Sequence, residues 1–188
     1  MKTLPAIIAC LTALASSTFA AGLDFKILRI TPALNKSPLI QYTQADQKRT
    51  PSPPLQWLEV EVEFLAQPEL TDELTFKYFI WIGDKVLSGE VTHVDIFKGR
   101  DLVSVAYVSP YTLLKLSGAK GVSLTAVQNV AVQIFNKGQQ VDGLSWKPGK
   151  PDWWTAIPPL PGLVLNKDQT PFAPLYWDRY VAIKPAAH

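Results

Sequence analysis

Cysteine, histidine and glycine-rich phosphate loops are what this sequence most lacks. One cysteine, Cys10, and two histidines, His93 and His188, are spread over 188 residues. Zinc sites need clustered Cys and His side chains, and nucleophilic catalysis needs a base within reach of its nucleophile. Both chemistries are short of the groups they require. No Asp-rich loop suits calcium, and no Gly-x-Ser-x-Gly elbow surrounds a serine. No Gly-x-Gly-x-x-Gly or Walker-type loop offers a phosphate cradle. Neither a catalytic residue nor a cofactor or metal ligand is therefore assigned. The formal charge is only +2, with no basic stripe, which removes the electrostatic case for nucleic acid as a partner.

What is there begins with a three-part leader. Lys2 is the only charge before Asp24, Ala6 to Ala15 are apolar, and Ser16-Ser17-Thr18-Phe19-Ala20 supply small residues. Thr18 and Ala20 suit the positions flanking a cut after Ala20. Residues 1–20 are read as a cleaved signal peptide rather than an anchor, because a spanning helix needs ~20 apolar residues. Ile7-Ile8-Ala9-Cys10 looks like a lipidation box, but what precedes the cysteine is too short for a charged region plus an apolar region of ~7–15 residues. A type IV prepilin keeps its apolar helix after the cut; here the run lies before it. The expected mature chain is exported to the periplasm, outer-membrane surface or exterior, with no membrane span. It has 168 residues and no cysteine, so it relies on packing instead of disulfides.

Short runs of period-2 alternation dominate the rest. Leu23 to Ile27 starts a first strand, and a loop from Thr31 to Pro54 follows, with room for a short strand at Leu39 to Tyr42. Trp57 to Leu65 points Leu58, Val60, Val62 and Phe64 inward and Glu59, Glu61 and Glu63 toward water. Leu74 to Ile82 leads into a Gly83-Asp84 hairpin. Val86 to Leu87, Glu90 to Ile96 and Leu102 to Val108 continue the pattern, with Lys98-Gly99 expected to turn the chain. Ser109, Pro110 and Gly118 mark the cap, first turn and exit of one short helix. Asn129 to Phe135 alternates again, and Gly138, in a three-residue loop, turns it into a last strand near Val141 to Trp146. About seven antiparallel strands with one helix read as an all-β, immunoglobulin-like β-sandwich over residues 21–150; an eight-stranded barrel is the alternative. Residues 151–188, rich in proline and aromatics, are too apolar for a linker and read as a C-terminal arm packed on the sandwich.

Chemistry-bearing residues are few. His93 and Asp95 lie two apart and are expected on one exposed strand face. The carboxylates of Glu59, Glu61 and Glu63 are spaced by roughly 6.5–7 Å along a strand, which overlaps an inverting glycosidase pair; a solvated strand face is the plainer reading. Aromatics are more informative. Phe79 and Trp81 lie opposite Phe76, Tyr78 and Ile80, so both faces of that strand are apolar and something must cover the outer one. The arm or a partner would do so. Phe79, Trp81, Trp153, Trp154, Tyr176 and Trp177 are the candidate partner-binding residues. Sheet edges near Leu39 and Val141 are further candidates for strand addition.

Pro151-Asp152-Trp153-Trp154, Leu165 to Asp168, Thr170-Pro171-Phe172-Ala173-Pro174 and Asp178-Arg179-Tyr180 resemble a secreted, pilus-like family of Verrucomicrobia of the Akkermansia type. The Tyr78 to Glu90 hairpin and the Val108-Ser109-Pro110 helix start fit as well. The resemblance implies an immunoglobulin-like protein encoded near type IV pilus genes, with no defined enzyme activity and no established site residues. The expected function is that of a non-enzymatic exported interaction protein, with protein partners in a pilus or cell-envelope assembly. The alternative is a glycan-binding module of mucin type, with Trp153-Trp154 or Trp177 as the stacking platform.

Overall fold

The structure, a computed structural model, describes residues 24–185 apart from 40–41, 45–46, 50–54 and 119–122, with backbone alone for 42–44 and 47–49. The expected leader and the Pro51-Ser52-Pro53-Pro54 boundary lie outside the described residues. Among the described residues the protein is all-β, with nine strands and one α-helix. Nine strands follow in chain order: β1 (Phe25–Lys36), β2 (Tyr42–Gln44), β3 (Gln47–Arg49), β4 (Gln56–Ile82), β5 (Lys85–Val108), β6 (Val127–Asn136), β7 (Gln139–Ser145), β8 (Leu160–Pro161) and β9 (Val164–Asn166). Helix α1 (Pro110–Ser117) lies between β5 and β6. Strands β2 and β3 form a separate hairpin, and the other seven share one sheet.

That sheet is bent over itself. The first half of β4 pairs with β1 and with the second half of β5, which also pairs with β9. The second half of β4 pairs with β6 and with the first half of β5. Two layers result, continuous through β4 and β5, with one core between them. Leu58, Val60, Val62 and Phe64 from the front layer and Phe76, Tyr78, Ile80 and Val132 from the back layer are fully buried in it. Phe64 meets Phe76 edge-on, with ring centroids 4.8 Å apart. The sheet does not close into the alternative barrel. β1 and β7 approach, and Ile27 N–H donates to Asp142 Oδ2 at 2.6 Å, but no ladder joins them.

The long strands correct the expected strand list. Lys98-Gly99 does not reverse the chain; it lies within β5, opposite a bulged stretch of β4. Ala66 pairs with Gly99 and Leu70 with Phe97, so three residues of β4 face one of β5. Extra residues on one strand bend a ladder without ending it, and both strands turn the corner together. β1 is also longer than expected. A register shift between Ile27 and Arg29 resets the alternation, and Pro32 fits because β1 pairs only with β4 and proline is tolerated on an edge. The last hairpin differs too. Lys137 and Gly138 alone form its loop, with φ of 49° and 80°, the positive pair of a type I′ turn. The expected short strand begins only at Tyr42, within β2, and Leu39 is exposed outside it.

The helix is as expected. Ser109 Oγ accepts from Thr112 N–H, Pro110 opens the first turn, and Gly118 exits at φ 75°. Residues 151–185 then run along the free side of β5. β8 pairs with Leu87 and Ser88, Ala182 O accepts from Val94 N–H, Val181 N–H donates to Val103 O, and β9 pairs with Ala106 to Val108. An edge that would template foreign strands is thereby occupied at four points. Gly89 is where this path comes closest: a Cβ there would sit 2.6 Å from Val164 O and 2.7 Å from Val164 Cβ. Gly89→Ala is expected to destabilise the fold by about 1–3 kcal/mol, read from urea unfolding. Gly149→Ala, with nothing within 4 Å, is the matched control and should leave the midpoint unchanged.

Candidate functional site

Alternation on β4 fixes which side chains point outward, and the C-terminal segment decides what happens to them. On the back layer, Trp154 stacks on Phe79 with centroids 5.4 Å apart, and Trp153 on Trp81 at 5.5 Å. The two tryptophans meet each other edge-on at 5.6 Å. Trp153 Nε1 donates to Ser145 Oγ at 3.2 Å and Trp81 Nε1 to Gly83 O at 3.0 Å, so both indole donors are satisfied. Four of the six candidate aromatics therefore cover one another. Tyr176 and Trp177 do not join them and stand exposed.

On the front layer, Phe172 stacks on Tyr107 at 4.8 Å and meets Trp57 edge-on at 6.0 Å. This covers the face on which the three glutamates lie and corrects their expected solvation. Glu59 is only 6% exposed and accepts from Asn35 Nδ2 at 2.6 Å and Tyr107 OH at 2.9 Å. Glu61 accepts from Arg179 Nε at 2.9 Å and Nη2 at 2.6 Å, and from Tyr180 OH at 2.7 Å. Glu63 takes Arg29. Burial by itself raises the Glu61 carboxyl, but the hydrogen bonds from Arg179 and Tyr180 and the guanidinium charge outweigh it and hold the group below its ordinary value. Burial first, and then the Glu59 charge, push the Tyr107 phenol upward, which keeps it a donor. Each carboxylate has its own donors, those of Glu59 and Glu63 from β1 and β5 and those of Glu61 from the arm, so Glu61 alone anchors the arm and the row does not form an acid–base pair. Among the described residues, no group of three or more His, Cys, Asp or Glu is placed to hold a metal.

His93 is fully buried, contrary to the exposed patch expected for it with Asp95. Asp95 takes φ 52°, which breaks the alternation and turns its side chain outward while Ile96 returns to the core. His93 Nε2 lies 2.6 Å from Ser104 Oγ, and Ser104 Oγ lies 2.6 Å from Tyr78 OH. Nδ1 faces the carbonyls of Val181 and Ala182 at 3.0 and 3.2 Å. Carbonyls only accept, so Nδ1 carries the proton and Nε2 accepts from Ser104. The chain runs from Tyr78 to Ser104 to His93 to the arm backbone. Its Ser–His distance is that of a nucleophile and base, but both residues are sealed from solvent, and carbonyls stand where a carboxylate would orient the ring. Its effect is to tie the arm to the core. Sequence reasoning missed Ser104 and Tyr78 because no local spacing marks two residues that meet His93 only through strand pairing.

Burial pushes the His93 pKa down to about 4. Its folded value lies below its unfolded value of ~6.5, so the unfolded chain binds the extra proton, and stability falls as pH drops from ~6.5 toward 4. The loss is on the order of 3 kcal/mol over that window, and His93→Gln should flatten this part of the pH–stability curve. Arg179→Ala leaves a largely covered Glu61 without its main partner. It should cost about 1–2 kcal/mol in urea unfolding, less at high salt.

Comparison with known proteins places this architecture. No curated protein matches the chain. A crystal structure from Akkermansia muciniphila matches with a TM-score of 0.75 at 25% identity, covering 87% of this chain and 94% of that one. A family model matches residues 16–187, the sheet and the arm together. The chain belongs to that family, the Akkermansia-type family that its arm motifs resemble.

Proposed function

We propose that this protein is an exported, non-enzymatic interaction protein that accompanies a type IV pilus or a cell-surface assembly. The observation that carries the reading is Trp177, 82% exposed, next to an exposed Tyr176. Tryptophan and tyrosine are the side chains most enriched at binding hot spots. Their setting is rigid. Two residues beyond Trp177, Arg179 makes its bidentate pair with Glu61, and Tyr180 adds a second donor to the same carboxylate. Tyr176 holds φ 54°, a conformation that costs a non-glycine residue of order 1 kcal/mol or more and collects at functional positions. A pre-ordered aromatic pair loses little side-chain entropy on docking.

The leader over residues 1–20 supports export. The enclosure of Ser104 and His93 supports binding over catalysis. Of the two platforms considered for glycan stacking, Trp153-Trp154 is spent on Phe79 and Trp81, which leaves Trp177. The test is genetic. A deletion strain should lose surface assembly or adhesion, and Trp177→Ala should reproduce the defect without lowering the melting temperature. Normal piliation and adhesion in the deletion strain would remove the reading.

A further inference from the structure

The bend carries an apolar pair on its outer face. Leu70 of β4 and Phe97 of β5 oppose each other in the ladder, so their side chains share one face, and they are 53% and 66% exposed. Phe97 also walls a cavity of about 320 Å³ between β5 and the arm, which Asp95, Asp101, Asp178 and Tyr180 line as well. Asp178 follows Trp177 in the turn that Arg179 N–H closes on Tyr176 O at 3.2 Å. The cavity therefore begins where the exposed aromatic tip ends.

We propose that this surface receives a basic segment of the partner protein, with an arginine or lysine entering the cavity and a neighbouring apolar side chain resting on Phe97 and Leu70. The inference rests on the assembly reading and names the chemistry of the partner. Charge selects the occupant. Among the described residues Asp95, Asp101 and Asp178 enter no ion pair, and neither does Asp72, exposed two residues beyond Leu70. The nearby cations are engaged elsewhere, Arg179 with Glu61 and Lys98 with Glu69, and Arg100 does not line the cavity. Three carboxylates without a cation repel an acidic surface and attract a basic one. They are not gathered for a metal: among the described residues no group of three or more His, Cys, Asp or Glu is placed to hold one. Asp95 and Asp101 stand on β5 and Asp178 on the arm, a spread that suits the several N–H donors of a guanidinium better than a point ion. The Phe97 ring adds a face on which a cation can rest.

The test is an NMR titration of the isotope-labelled protein with the peptide acetyl-Arg-Leu-Arg-amide, and with its Gln-Leu-Gln and Glu-Leu-Glu counterparts. The arginine peptide should give saturable shifts at the amides of Asp95, Phe97, Asp101 and Asp178, weaker with added salt, and the other two none. Asp101→Asn and Asp178→Asn should each weaken binding about three- to tenfold, as loss of one charged contact predicts. Spectra without peptide report whether each variant is folded. No saturable shift with the arginine peptide, equal shifts with the glutamine peptide, or shifts confined to other surfaces overturn the proposal. So does a dimer in peptide-free solution that broadens these same amides, which would make the occupant a second copy. Complementing the deletion strain separates the two readings. If Trp177→Ala impairs assembly and the Asp101→Asn, Asp178→Asn double variant does not, the assembly role stands and the basic partner falls.

Discussion

The antiparallel pairing of β4 with β5 is the constraint on which everything else depends. These two strands, Gln56–Ile82 and Lys85–Val108, run together through both layers, so neither layer exists without the other. A two-residue turn at Gly83-Asp84 sets their register, and the corner at Ala66–Leu70 and Phe97–Gly99 folds the pair over. The corner has two register shifts, one with the extra residue on β5 and one with the extra residues on β4, so the pair bends and its pairing resumes beyond the bend. Side chains that alternate in the front layer keep alternating in the back, and both inner faces reach one core.

A sheet bent in this way has two remaining problems: a long open edge on β5 and apolar or charged residues on its outer faces. The C-terminal segment addresses both. Its backbone occupies the β5 edge at separated points, and its rings cover Phe79, Trp81 and Tyr107. Polar contacts fix its position. Arg179 and Tyr180 engage Glu61, and the carbonyls of Val181 and Ala182 face His93. The bidentate pair is the directional part of this arrangement, and the stacked rings add apolar burial. The Tyr176-Trp177 tip is left uncovered.

Much of this was legible in the sequence where the determinant is local. Ser109, Pro110 and Gly118 specify their helix through capping chemistry. Gly83 marks its hairpin, and the inward set Leu58, Val60, Val62 and Phe64 is written in the alternation. The need to cover Phe79 and Trp81 was legible too, because both faces of their strand are apolar. Legibility failed where a distant segment decides. Glu59, Glu61 and Glu63 alternate as a solvated row would, and only residues more than 100 positions away in the chain show Glu61 to be an anchor. Lys98-Gly99 has the composition of a turn, yet a bulge in the neighbouring strand makes it a bend. Asp95 hides the burial of His93, since a single positive φ shifts the phase of the strand.

The position of the arm in the chain has a consequence for how the molecule is made. A polypeptide emerges N-terminus first, and the contacts that close the β5 edge join residues such as Thr92 and Lys184 or Val103 and Val181. Contacts of that sequence separation form late. Until residues 179–184 are free, this part of β5 presents an unpaired edge and Glu61 lacks its cation. The step that seals the sheet therefore waits for this segment, and the interval before it is the time of greatest exposure to aggregation. A nascent chain of this design needs protection for as long as residues 179–184 remain in the ribosome.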